Sequence, residues 1–180
     1  MTECAIFLIG LPGSGKTTAA TFLKNLGFFT ISAGDVIRSL CRNEGIPLTR
    51  ENLSAIGRRF LSQHGEEYFA EILLRQAGDK DKVVFEGIRP PKVLLWLKER
   101  IPRTLTIFVE APESERLDRL LAARGEDESS YRRVMAYPME QDIVQIKSLF
   151  DVVTVQNKGK VEDFYLDLKD AVLPILSACE

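Results

Sequence analysis

Residues 10–17 read Gly-Leu-Pro-Gly-Ser-Gly-Lys-Thr and stand directly between a continuous apolar run at 4–9 and an amphipathic segment at 16–26. The pattern is Gly-x-x-x-x-Gly-Lys-Ser/Thr in the strand-to-helix setting that it requires. Glycines let the backbone curl with its N–H groups turned inward, and a helix starting near Gly15 adds the positive end of its dipole. The concavity therefore suits phosphate oxygens. Gly10, Pro12, Gly13, Ser14, Gly15, Lys16, Thr17 and Thr18 form the expected nucleotide site. Lys16 is expected to bridge the outer phosphates of ATP, and Thr17 to offer its hydroxyl to Mg²⁺.

The rest of the chain repeats the strand-then-helix alternation. Short apolar runs at 4–9, 28–31, 83–85, 105–109 and 152–155 predict five strands. Helical spacing predicts helices at 16–26, 34–43, 50–63, 66–76, 90–98, 112–123, 130–149 and 161–176. Pro138 is expected to kink the helix at 130–149, and Pro174 to loosen the end of the last one. Alternation of this kind predicts an α/β fold with a parallel sheet covered on both faces, whose ligands lie beyond the carboxyl ends of the strands. At 180 residues, with 45% hydrophobic and 28% charged residues, the chain suits one P-loop domain with its own core.

Charge and cysteines narrow the setting. A net charge of -2 speaks against sequence-independent nucleic-acid binding, which favours a basic balance. Cys4, Cys41 and Cys179 are far apart and odd in number, so three reduced thiols are expected. The N-terminal residues lack the basic start and long apolar stretch of a signal peptide, and no apolar run approaches the roughly 20 residues of a membrane span. A cytoplasmic location is the expectation. One histidine, His64, and scattered cysteines leave no metal cluster in view; His64 itself reads as an exposed helix end.

P-loops serve switches, motors and kinases alike. A guanine-specific switch needs Asp-x-x-Gly and Asn-Lys-x-Asp. No aspartate here precedes a glycine by three, and Asn157-Lys158-Gly159-Lys160 fails at its fourth position. Two further segments point to phosphoryl transfer. Ile31-Ser32-Ala33-Gly34-Asp35-Val36-Ile37-Arg38 follows the second strand, and Phe85-Glu86-Gly87-Ile88-Arg89 ends the third. Carboxylates at two strand ends, Asp35 and Glu86, can hold Mg²⁺ through its waters. Arg38 and Arg89 carry planar forks that bind phosphate in pairs of hydrogen bonds.

With the phosphate loop, these segments resemble the nucleoside monophosphate kinase family, including adenylate kinases and dephospho-CoA-kinase-like proteins. The resemblance implies a five-stranded sheet in the order 2-3-1-4-5, acceptor-binding helices at about 34–78 and a short arginine-rich lid at about 124–131. It implies that Arg38, Glu86, Gly87 and Arg89 hold a small phosphorylated acceptor. It also implies that Arg119, Arg124 and either Arg132 or Arg133 stabilise the phosphoryl group in flight, with Lys16, Asp35 and Arg89. Asn157 lies in a loop that frames the adenine in that family. Three features depart from the adenylate kinase pattern: Ala33 replaces a threonine, Glu86 replaces an aspartate, and Arg89 precedes Pro90 rather than following it.

The expected activity is ATP-dependent transfer to a nucleoside monophosphate. Dephospho-CoA, another small metabolite, or a regulatory ATPase role remain open beside it, and oligomeric state is not legible. Arg116, Arg58 and Arg59 read as solvated helix charges, and Leu95 with Trp96 as helix-to-sheet packing.

Overall fold

The computed structural model describes residues 2–124 and 127–179. Its strands are β1 (Cys4–Ile9), β2 (Phe29–Ser32), β3 (Lys82–Glu86), β4 (Arg103–Glu110) and β5 (Val153–Gln156). They form one sheet in the order β2-β3-β1-β4-β5, and every neighbouring pair is parallel. The expected topology is therefore present. Around the sheet run α1 (Lys16–Asn25), α2 (Ala33–Asn43), α3 (Arg50–His64), α4 (Glu66–Ala77), α5 (Pro91–Lys98), α6 (Glu113–Arg124), α7 (Glu128–Met135), α8 (Pro138–Leu149) and α9 (Val161–Ala178).

The two-residue period of the central strand divides the core. Ala5, Phe7 and Ile9 face one layer, where Phe69, Leu73, Leu94, Leu97, Ile143 and Ile146 of α4, α5 and α8 cover them. Ile6 and Leu8 face the other, closed by Ala19 and Leu23 of α1 and by Phe164, Leu168, Val172 and Ile175 of α9. All six β1 residues are buried, as a strand covered on both faces demands. Phe7 and Phe85 stack at 5.5 Å between ring centroids, worth about 0.5–1.5 kcal/mol beyond the area they bury.

Local chemistry sets the element ends. The Thr49 hydroxyl accepts from Asn52 N at 3.2 Å and caps α3. Gly65, at φ 84°, ends α3 and donates its N–H to Leu61 O. Pro138 does more than kink the predicted helix at 130–149. Tyr137 is extended (φ -67°, ψ 137°), and Pro138 occupies the first turn of a separate helix, α8. The ring disfavours helical backbone in the preceding residue, so one predicted helix becomes two. The predicted polar loop at 125–129 is shorter than expected, because α7 already begins at Glu128; Gly125 and Glu126 lie outside the described residues. Pro174 sits inside α9, which continues to Ala178.

Three expectations are corrected here. Cys4 and Cys179 are joined in a disulfide with their Cα atoms 6.2 Å apart, leaving Cys41 as the buried free thiol. The physical reason is topological. A helix following a parallel strand runs back across the sheet, so the end of α9 reaches the start of β1 although 175 residues separate them. Leu95 is 46% exposed rather than packed, whereas Trp96 does pack, partly buried, against the core and carries the Arg100 guanidinium 3.7 Å from its ring centroid. Arg116, expected on the surface, is buried. Among the described residues, no helix is long and apolar enough to cross a membrane.

Candidate functional site

The loop between β1 and α1 turns on glycines at φ 157° (Gly10), 77° (Gly13) and 103° (Gly15). At Gly13 a Cβ would lie 2.6 Å from the Arg116 carbonyl oxygen, so neither the backbone angle nor the space admits a side chain. Gly15 precedes α1 with no side-chain cap, which leaves the first N–H groups of the helix for a ligand. The Lys16 ammonium folds back onto its own loop, donating to Gly10 O at 2.6 Å and Leu11 O at 3.0 Å. Ser14 Oγ is buried without a hydrogen-bond partner. Pro12 is buried, Thr18 is half-buried and Thr17 is exposed at the first turn. Loss of water around the ammonium, and then the positive charge of Arg89, pull the Lys16 pKa down to about 8, while Glu140 and Glu86 oppose that fall.

The neighbouring strand ends carry the second half of the site. Register pairs Ser32 with Glu86, so β2 and β3 finish side by side, and β3 lies next to β1. Asp35 and Arg38 form an ion pair at 2.7 Å, with the Asp35 side chain 67% exposed. The Arg38 guanidinium folds over Gly34, where a Cβ would stand 3.1 Å from Nη1. Arg89 donates from Nη1 to Gly87 O at 3.3 Å and from Nε to Glu140 Oε1 at 3.0 Å. Glu140 comes from α8 and is 5% exposed. Sequence reasoning missed it. One signal was present: Glu140, Ile143 and Ile146 share the buried side of α8, so an acid stands on an apolar stripe.

Arginines of α6 and α7 separate by position. Arg119 reaches the phosphate loop, donating from Nη1 to Gly13 O at 3.2 Å and from Nη2 to Asn157 O at 3.1 Å; Glu115 Oε2 holds the same Nη2 at 2.7 Å. Asn157 completes the link, donating from Nδ2 to Ser14 O at 2.8 Å. Arg116 lies beneath the loop, donating from Nε to Ala111 O at 3.3 Å, with its guanidinium carbon 5.7 Å from the Tyr131 ring centroid. Arg132 pairs with Glu128 at 2.6 Å on the outer face of α7, and Arg133 with Glu51 of α3 at 3.7 Å. The Arg124 side chain lies outside the described residues. The structure thus brings Arg119 and Asn157 to the loop and leaves Arg132 and Arg133 on solvated pairs. His64 ends α3 and rests on Phe60, 4.7 Å between ring centroids.

Two cavities lie on the α3 side of the molecule, one of them reaching Arg89. A small one, about 40 Å³, is lined by Ala33, Gly34, Ile37, Gly57, Phe69 and Met139, with Arg89 at its edge. A larger one, about 550 Å³, lies between α3 and the α7–α8 junction, with Asn52, Arg58, Arg133 and Tyr137 in its wall. Consecutive residues of α3, Gly57 and Arg58, face the two. Among the described residues, no group of three or more His, Cys, Asp or Glu is placed to hold a metal.

Comparison with known proteins agrees with this geometry. A family model described as an AAA domain matches residues 9–134. A UPF0200 protein of Methanoregula boonei is 32% identical over 174 residues, covering 93% of this chain and 94% of that protein. Another, from Methanococcus maripaludis strain C7, is 28% identical over 181 residues and covers 96% and 98%. Among solved structures, TT1252 from Thermus thermophilus superposes with a TM-score of 0.62 at 22% identity, over 97% of this chain and 99% of that one. A gluconokinase from Sinorhizobium meliloti gives 0.56 at 18%, over 98% and 95%. At those identities the likeness is one of fold. This chain belongs to the AAA domain family, among the UPF0200 proteins, and has the P-loop fold of small kinases.

Proposed function

We propose that this chain is an ATP-dependent phosphotransferase acting on a small phosphorylated acceptor, with a nucleoside monophosphate as the first candidate. The observation that carries the reading is the pairing of two phosphate grips at adjacent strand ends. Lys16 and the loop amides follow β1, and Arg89 follows β3, its nearest neighbour. A donor triphosphate on the first and an acceptor phosphate on the second would meet between them, and the rate would come from positioning and charge stabilisation.

Lys16 exchanges the carbonyls of Gly10 and Leu11 for phosphate oxygens, and the orphan hydroxyl of Ser14 gains a partner. Thr17, with Asp35 and Glu86 acting through water, would hold Mg²⁺, which when bound neutralises charge on the transferred group. Arg119 spans loop and adenine side through Gly13 and Asn157, while Arg38 and Arg89 orient the acceptor.

A second reading draws support from the small cavity. At about 40 Å³ it has room for a water or two beside Arg89, so an acceptor more compact than a nucleotide asks for a smaller displacement of α3. The solved gluconokinase and sugar kinase of like fold are consistent with that class. One experiment decides. ADP release is measured with MgATP against nucleoside monophosphates, dephospho-CoA, and sugar and polyol acceptors. Stimulation by a nucleoside monophosphate that Arg89→Ala abolishes supports the first reading, and stimulation by unphosphorylated sugars alone supports the second. Hydrolysis that no acceptor stimulates points to a regulatory ATPase.

A further inference from the structure

Among the described residues Glu140 is the acid that the fold buries, and a buried carboxylate is costly unless paired. Its Oε1 takes the Arg89 Nε–H at 3.0 Å and lies 3.0 Å from Nη2, while Oε2 is buried with no partner. Arg89 Nη1 meanwhile donates to Gly87 O. A guanidinium has five N–H donors. Contacts to Glu140 and Gly87 engage one on Nε and one on each terminal nitrogen. The remaining pair, one on each terminal nitrogen, is what a phosphate takes as a fork.

We propose that Glu140 is a positioning residue that clamps Arg89 from behind, so that the guanidinium offers its outer edge to the acceptor's phosphate. The proposal rests on the reading of Arg89 as the acceptor's fork. Glu140 is delivered by α8. Its neighbour Met139 places its methyl carbon 3.8 Å from the position a Gly57 Cβ would take, so α8 packs close against α3.

The test uses Glu140→Asp, with two measurements. Arg89 is followed by its ¹⁵Nε–¹H resonance, identified by its loss in Arg89→Lys. In the wild type this resonance is expected to exchange slowly and to lie apart from those of exposed arginines. It should stay there on titration with inorganic phosphate, because the phosphate takes the outer edge. Glu140→Asp, which withdraws the carboxylate by one methylene, is expected to return it to the exposed range. The second measurement is inorganic phosphate affinity by calorimetry, with Arg89→Lys marking the share that does not pass through the fork. Glu140→Asp is expected to lower the Arg89-dependent affinity several-fold. A purely structural Glu140 would leave that affinity unchanged.

An Arg89 resonance that phosphate drives into the exposed range makes Glu140 a competitor and overturns the clamp. So does a resonance unmoved in Glu140→Asp. A phosphate affinity unmoved in Glu140→Asp overturns the positioning role. Should Glu140→Asp not fold, the wild-type phosphate titration still decides the clamp. A wild type that binds no MgATP overturns the nucleotide site, whereas the Arg89 resonance judges the clamp independently.

Discussion

The Lys16 ammonium donates to the carbonyl oxygen of Gly10 across 2.6 Å, closing the phosphate loop on itself. A cation held by neutral carbonyls and partly withdrawn from water is ready to exchange them for anionic oxygens. Its pKa, near 8 against the usual 10.5, reflects that desolvation first and Arg89 second. The sign follows directly. Nucleotide phosphates favour the charged form and raise this pKa, so binding is expected to be insensitive to pH below about 8 through this group and to weaken above it. Above that pH, binding takes up a proton. Calorimetry at pH 8.5 in two buffers of different ionisation enthalpy checks this, because proton uptake makes the apparent heats differ. Lys16→Ala is expected to lower turnover by on the order of 10²–10³ while leaving the melting temperature close to that of the wild type.

Arg119 ties α6 to the loop through Gly13 O and to the β5 end through Asn157 O. Removing it frees two carbonyls at a part-exposed site and takes a cation from the phosphates. Arg119→Ala is expected to weaken MgATP binding roughly tenfold, the equivalent of about 1.4 kcal/mol, with a stability change under about 1 kcal/mol. Arg119→Lys should restore little, since one ammonium cannot span both carbonyls. Fluorescent-nucleotide titration and thermal melts separate the two effects, and equal losses in both would make Arg119 a structural residue.

Gly13 cannot carry a side chain. At φ 77° its Cβ would meet the backbone of Arg116, which cannot swing aside as a side-chain tip would. Gly13→Ala is expected to cost about 1–3 kcal/mol and to abolish measurable nucleotide binding. By contrast Gly27, also at positive φ but with nothing within 4 Å, should lose stability without losing binding when changed to Ala. Denaturant melts and nucleotide titrations of the two variants, side by side, test the distinction.

Cys4 and Cys179 staple α9 to the start of the central strand. The bridge closes a loop of nearly the whole chain, which restricts the unfolded ensemble strongly. Cys179→Ser, or reduction, is expected to lower stability by about 2–4 kcal/mol. It should leave nucleotide affinity unchanged, because the bridge lies at the end of β1 opposite the phosphate loop. Melts with and without reductant, and thiol counting before and after, measure it.

The phosphate loop and the parallel sheet were legible in the chain itself, and the strand order followed from the resemblance to nucleoside monophosphate kinases. Residues 10–17 make a local object whose shape follows from glycine freedom, a strand before it and a helix after it, and the alternation of apolar runs with helices calls for a parallel sheet. The positions of Arg38, Arg89, Asp35 and Glu86 near strand ends were legible too, because each stands within a few residues of an apolar run. What the linear order concealed are meetings between distant segments. Glu140 looks like one acid among many on an amphipathic helix until α8 packs beside α5 and buries it on Arg89. Arg116 and Arg119 look alike, three residues apart on one helix, yet one turns under the loop and the other binds it from outside. Cys4 and Cys179 meet only because α9 runs back across the sheet. Hydrophobic period and turn chemistry act over a few residues and can be read from them. Burial of a charge, and which opposite charge neutralises it, depends on packing between elements far apart in sequence, and only the assembled tertiary structure decides it.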